Sequence, residues 1–174
     1  WSRGLGDVYK RQLYENASAT LPAREEIRGV NVIRCWSTTF GRYSLIGRAI
    51  DYLSFYLTVF FTLILKIRSG DVVVAKTDPP MLSVPVALSA KIRSARCVNW
   101  MQDVYPELAT QAGVRAVSGL LATSLRALRD KSLEMADENV VIGERMRQHL
   151  KQNCQARFEV IPNWALGSLE PISA

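Results

Sequence analysis

The chain is poor in the residues that build metal and redox centres. One histidine, His149, and three cysteines, Cys35, Cys97 and Cys154, are spread over 174 residues without a CxxC pair. An odd, unclustered set of cysteines argues against a disulfide framework and offers zinc no ligand spacing, so no metal is expected. A reducing cytosolic compartment is the default. No GxGxxG turn, GxxxxGK[ST] loop or GxSxG elbow occurs, which removes the common signatures for dinucleotides, for P-loop phosphates and for esterase-type nucleophiles. The lone histidine, read as a helix-surface residue, does not support a hydrolytic triad.

Composition is otherwise that of a globular domain, with 48% hydrophobic and 22% charged residues. The net charge of +6 permits nucleic acid, anionic lipid or phosphorylated ligands as partners without choosing among them. The basic residues are scattered rather than striped, and no basic motif rich in aromatics appears, so nucleic acid is not the expected partner. The opening residues, WSRGLGDVYKRQ, resemble translated sequencing-adapter sequence. Residues 1–12 are therefore expected to stand outside the fold, and setting aside their net +2 leaves +4.

A strand and helix rhythm begins after a polar stretch ending at Arg28. Val30–Ile33 alternates and is β-branched, as a strand should be. Gly47–Lys66 reads as a helix, with Tyr52–Leu65 free of charge over 14 residues. Asp51, Ser54, Thr58, Thr62 and Lys66 recur at helical spacing as one thin polar stripe. Three readings stay open: a bilayer span, for which 14 uncharged residues are short of about 20; a helix buried against a sheet; and a helix resting its apolar side on a membrane.

Asp71–Ala75 reads as a strand covered on both faces, and the helix after it starts near Met81–Ser83 with Pro85 in its first turn. Ala87, Leu88, Ala90 and Ile92 form its packed face. Cys97–Met101 is the next strand. A short helix follows Glu107, then a longer one from Ser118 to Ala136, packed through Leu121, Leu125, Leu128 and Met135 with Arg126, Arg129, Asp130 and Lys131 outside. Asn139–Ile142 and Phe158–Ile161 complete the strands. Such alternation predicts an α/β fold, a Rossmann-like doubly wound parallel sheet over residues 13–163, with 164–174 as a linker.

Parallel strands end at one edge, where α/β proteins bind ligands. Lys76-Thr77-Asp78-Pro79-Pro80 follows the first strand of the βαβ unit, and Gln102-Asp103-Val104-Tyr105-Pro106-Glu107 follows the second. A carboxylate placed there can accept a hydrogen bond or a proton from a sugar hydroxyl; Asp78 and Thr77 can equally cap the next helix. Gly143-Glu144-Arg145 offers a glycine and a cation at a third strand-to-helix turn, a pattern suited to phosphate.

GDVVVAKTDPPMLSVPVA, VNWMQDVYPELA, NVVIGERM and VIPNWA together resemble, in order, segments of the N-terminal domain of family 4 glycosyltransferases. The nearest branch is the bacterial one that builds colanic acid, O-antigen and related surface polysaccharides. The resemblance runs from about Arg28 to Trp164. It implies an incomplete N-terminal half of a GT-B fold, two Rossmann-like domains that transfer a sugar from a nucleotide-sugar donor without a catalytic metal or other cofactor. It implies that Gln102 and Asp103 face the acceptor, with Asp103 orienting its hydroxyl, and that Asp78, Pro80 and Glu107 belong to the same wall. Glu144 and Arg145 would approach the donor phosphates. The family's first strand and its donor domain have no counterpart in this sequence, so the chain alone is expected to transfer no sugar. A lipid-linked glycan acceptor would suit the apolar helix and a cytoplasmic location at the inner membrane face. The alternative from another class is a non-catalytic α/β binding module for nucleic acid or another phosphorylated ligand.

Overall fold

The computed structural model describes residues 22–42, 44–111, 113 and 119–163. The adapter-like start, the linker end and Ser118, the expected first residue of the long helix, lie outside these. The chain divides at Cys35 into two compact units.

The first unit contains an antiparallel hairpin, β1 (Arg24–Ile27) and β2 (Val30–Ile33), paired from Arg24 with Ile33 to Ile27 with Val30. Arg28 and Gly29 turn it with φ of +52° and +80°. Two left-handed residues match the twist of the flanking strands, and glycine takes the second at no steric cost. β2 agrees with the sequence reading. β1 is hidden in the polar stretch, because Arg24-Glu25-Glu26 carries no apolar alternation.

The second unit is a parallel four-stranded sheet with helices. Its elements run α1 (Leu45–Lys66), β3 (Val72–Lys76), α2 (Ser83–Ile92), β4 (Arg96–Met101), α3 (Glu107–Gln111), α4 (Gly119–Met135), β5 (Glu138–Val141), α5 (Glu144–Lys151) and β6 (Phe158–Val160). Sheet order is β3-β4-β5-β6, with Val74 beside Val98, Trp100 beside Val140 and Val141 beside Val160. This architecture is α/β and compatible with a Rossmann-like fold. Every connection steps the same way. Right-handed crossovers then put their helices on one face. The reversal that makes a sheet doubly wound does not occur among the described strands.

Burial follows that layout. Cys97, Asn99 and Met101 of β4 and Asn139 and Val141 of β5 are buried beneath the helices, while Val98, Trp100 and Val140 between them are half-exposed. Val72 and Val74 are 60% and 57% exposed. The expectation of a β3 covered on both faces is thus corrected: an apolar run reports that a strand can be buried on both sides, not that both sides are met. The main core joins Met101, Leu133, Val141, Leu150, Cys154 and Phe158, so it sits between β4–β6 and the helices α4 and α5.

Two helix faces differ from the periodicity reading. On α2, Ser83, Pro85, Val86, Ala87, Ser89 and Ala90 are buried while Leu88 and Ile92 are exposed. On α4, Ala122, Arg129, Ser132 and Leu133 are buried while Leu121 and Leu128 lie outside. Small residues win because α2 packs between α1 and α4. Ser83 and Ser132 touch through their hydroxyls at 2.8 Å, an approach that leucines at those positions would prevent.

Inside the sheet, Asn99 Nδ2 donates to Asn139 Oδ1 at 2.9 Å, and Asn139 Nδ2 donates to the carbonyls of Leu133 and Arg157. Both asparagines are fully buried. Asn139→Ala should therefore lower stability by roughly 2–3 kcal/mol, since it strands two carbonyls and an amide. A urea midpoint unchanged from that of the parent would show the pair to be dispensable.

Candidate functional site

The four parallel strands deliver their following turns to one edge. Thr77, buried behind β3, stitches the first two together: its N–H donates to the Trp100 carbonyl at 3.2 Å and its Oγ1 accepts from the Gln102 N–H at 3.0 Å. Thr77 and Asp78 do not cap α2, whose N-terminus has no side-chain cap. Gln102 Oε1 accepts from Asn163 Nδ2 at 3.0 Å. That bond spans from the turn after β4 to the residue beyond β6, past the end of β5.

Asp78 and Asp103 are exposed, with no hydrogen-bond or ion-pair partner among the described residues. They share a neighbour. Burial, then the charge of Asp103, then Tyr52 and Asp78 hold the Tyr105 hydroxyl above its ordinary range. Tyr56 is pushed up in the same direction by burial, then by Tyr52 and Asp78. Tyr56 donates its hydroxyl to the Pro80 carbonyl and stacks on Tyr52, with ring centroids 6.1 Å apart and 12° between planes. The rim of the site is thus Asp78, Pro80, Gln102 and Asp103 from the turns, joined by Tyr105 and by Tyr52 and Tyr56 from α1. The tyrosines escape a sequence reading because α1 reads as an apolar run, in which a ring with one polar end is easily counted as core.

Glu107 goes elsewhere. It opens α3, its side chain is 13% exposed, and Arg129 grips it through two bonds of 3.0 and 3.1 Å. Burial, the largest single influence, opposes its charge. The Arg129 hydrogen bonds, a backbone N–H and the charges of Arg129 and Arg126 together outweigh it and hold the carboxyl below its ordinary range. Arg126 stands 3.4 Å away and His149 3.7 Å. Arg129 also donates to the Tyr105 carbonyl at 2.9 Å and to Asp130. The sequence places Arg129 on an outer face; the structure buries it at 3% exposure, because three acceptors reach its guanidinium there and replace water. The clamp fixes the turn that carries Asp103.

At the third turn, Glu144 pairs with Arg147 at 2.7 Å within α5 and is held below its ordinary range first by that bond. Arg145 is exposed at the start of α5. Both stand at the same sheet edge as Asp103, one strand away, with no described contact to it. The buried Cys97 thiol is pushed up to about 11 by burial and then by Asp137, which makes it a poor nucleophile.

Two carboxylates without a partner among the described residues, an amide and a phenol on one rim can accept and orient hydroxyl groups, and a carboxylate so placed can take a proton from one of them. No family model matches the chain, and no solved structure matches it significantly. Among curated proteins it is similar to the probable glycosyltransferase WbjE of Pseudomonas aeruginosa, 32% identical over 102 residues. That alignment covers 58% of this chain and 26% of WbjE, so the chain spans about a quarter of that relative's length.

Proposed function

We propose that this chain is the acceptor-side part of a two-domain glycosyltransferase of the GT-B type, in the family 4 branch that builds bacterial surface polysaccharides. The observation that carries the reading is the pair of exposed carboxylates, Asp78 and Asp103, without partners among the described residues, on the ligand-binding edge of a parallel sheet in a chain similar to a probable glycosyltransferase. In this reading the acceptor glycan lies along Asp78, Pro80 and Gln102, and Asp103 orients or deprotonates the attacking hydroxyl. Glu107 belongs to the wall by holding its shape. Arg145, beside Glu144, approaches the phosphates of a nucleotide-sugar donor that a second domain holds, and no cofactor beyond the donor is required. The acceptor is lipid-linked and presented at the cytoplasmic face of the inner membrane.

The test is made on the longer polypeptide that contains this chain. Nucleotide sugars are offered together with a membrane glycolipid extract. Nucleoside diphosphate release that requires the extract is the expected result. Absence of release with every donor, alongside salt-sensitive binding of DNA or RNA by the domain, would replace the reading with that of a nucleic-acid binding module.

A further inference from the structure

Helix α1 is turned inside out. Its polar stripe, which the sequence shows without saying which way it faces, is bonded to the protein through Asp51 and Ser54. Asp51 Oδ1 accepts from Thr38 Oγ1 at 2.6 Å and from the Phe40 N–H at 2.9 Å, and its Oδ2 accepts from the Gly41 N–H at 2.7 Å. Ser54 Oγ accepts from the Thr38 N–H at 3.0 Å. These bonds hold Asp51 below the ordinary carboxylate range, the Thr38 hydroxyl first among the causes. Gly47 closes the joint: a Cβ there would collide with the Phe40 carbonyl. Ser44 caps the helix by accepting from the Gly47 N–H. The helix cannot roll without breaking this set.

What remains outside is apolar. Ile46, Ile50, Leu53, Leu57, Phe61 and Leu65 recur at spacings of four, three, four, four and four residues, and each is between 43% and 81% exposed. Only 6% of the most apolar stretch of α1 is buried. The helix is long and apolar enough to cross a membrane by length and composition. Its geometry favours lying along a surface instead, because Asp51, Ser54 and Tyr56 bond one side of it to the protein through polar groups that hydrocarbon would not tolerate. Arg48 near the start of the stripe, and Lys66 and Arg68 at its end, are exposed cations. They suit anionic headgroups, as does the chain's +6 charge.

We propose that the outer face of α1 docks on an anionic lipid surface, with Leu53, Leu57 and Phe61 in the acyl boundary and the basic ends at the headgroups. This deepens the lipid-linked reading above but stands on the geometry of α1, so its failure would leave the sugar chemistry in place. Tyr52 and Tyr56 on the same helix reach the site rim, so docking would set Asp78 and Asp103 close to the bilayer.

The probe is flotation of the whole chain with vesicles of equimolar phosphatidylglycerol and phosphatidylcholine, against phosphatidylcholine alone. Binding to the anionic vesicles is expected, weaker on neutral ones and in high salt. The double variant Leu53→Glu, Leu57→Glu should lose about a hundredfold in partition, since two leucines no longer leave water. Both sites are exposed, and an unchanged circular dichroism spectrum confirms the fold. The indole fluorescence added by Leu57→Trp should be quenched by brominated lipid. No flotation, flotation indifferent to the glutamates, or an added indole that brominated lipid leaves unquenched overturns the proposal. So does a dimer that the glutamates dissolve, which would assign the face to a second copy of the chain.

Discussion

Asp103→Asn is expected to cut the proposed sugar transfer about a hundredfold or more, the range set by loss of one positioned general base. The substitution keeps the shape and removes the charge. Asp103 is exposed and has no bonding partner among the described residues, so the change should leave the unfolding midpoint where it was. The split between kinetic constants discriminates roles. A base acting on the acceptor hydroxyl would show as a fall in kcat with acceptor KM little changed, whereas a residue that only holds the acceptor would raise KM. Asp78→Asn in parallel should act mainly on KM. Wild-type turnover in the Asp103 variant removes that residue from the chemistry.

The second large effect concerns stability. Arg129→Met should cost about 3–5 kcal/mol, because it abandons the Glu107 carboxylate and the Tyr105 carbonyl in a site that water scarcely enters. Domains of this kind hold only some 5–15 kcal/mol in total. The companion Arg129→Met, Glu107→Leu should regain much of the loss, as buried ion pairs commonly give little net stability over apolar replacements. A denaturant series on the three proteins decides it: a double variant no better than the single one would mean that the Tyr105 carbonyl, not the ion pair, dominates. Acid offers a second check. Glu107 is depressed in the folded state from an ordinary value of 4.5, so its contribution is complete above that pH and is lost as the pH falls through the folded value. Glu107→Gln should start less stable at neutral pH and be flatter in that acid range.

Sheet strands and most turns are legible in the sequence because the apolar runs of β3, β4 and β5 are short, β-branched and ended by polar clusters. Asp78 and Asp103 are legible for the same reason: each is the acid just beyond such a run. What escapes is partnership. Arg129 looks like a surface cation in any helical projection, and nothing local reveals that Glu107 and the Tyr105 carbonyl, both more than twenty residues earlier, await it. The stripe on α1 is visible in the sequence but its direction is not, because periodicity gives a face and not what that face meets. Thr38, Phe40 and Gly41, in a loop without pattern, decide that direction. The tyrosines of α1 are hidden by the same helix.

The sheet repeats the order of the chain: β3, β4, β5 and β6 are neighbours in space as they are in sequence. During synthesis each strand that emerges finds its only earlier partner already made, and none of the four has to wait for a later one to be inserted beside it. Pairing between near neighbours closes small loops first and keeps contact order low, which favours fast assembly with little exposure of unpaired strands. β3 comes first among the four. Like β6 it keeps one edge without a described partner, and it carries the exposed Val72 and Val74. For a ribosome-bound chain that edge is the place where a chaperone has the longest opportunity to act.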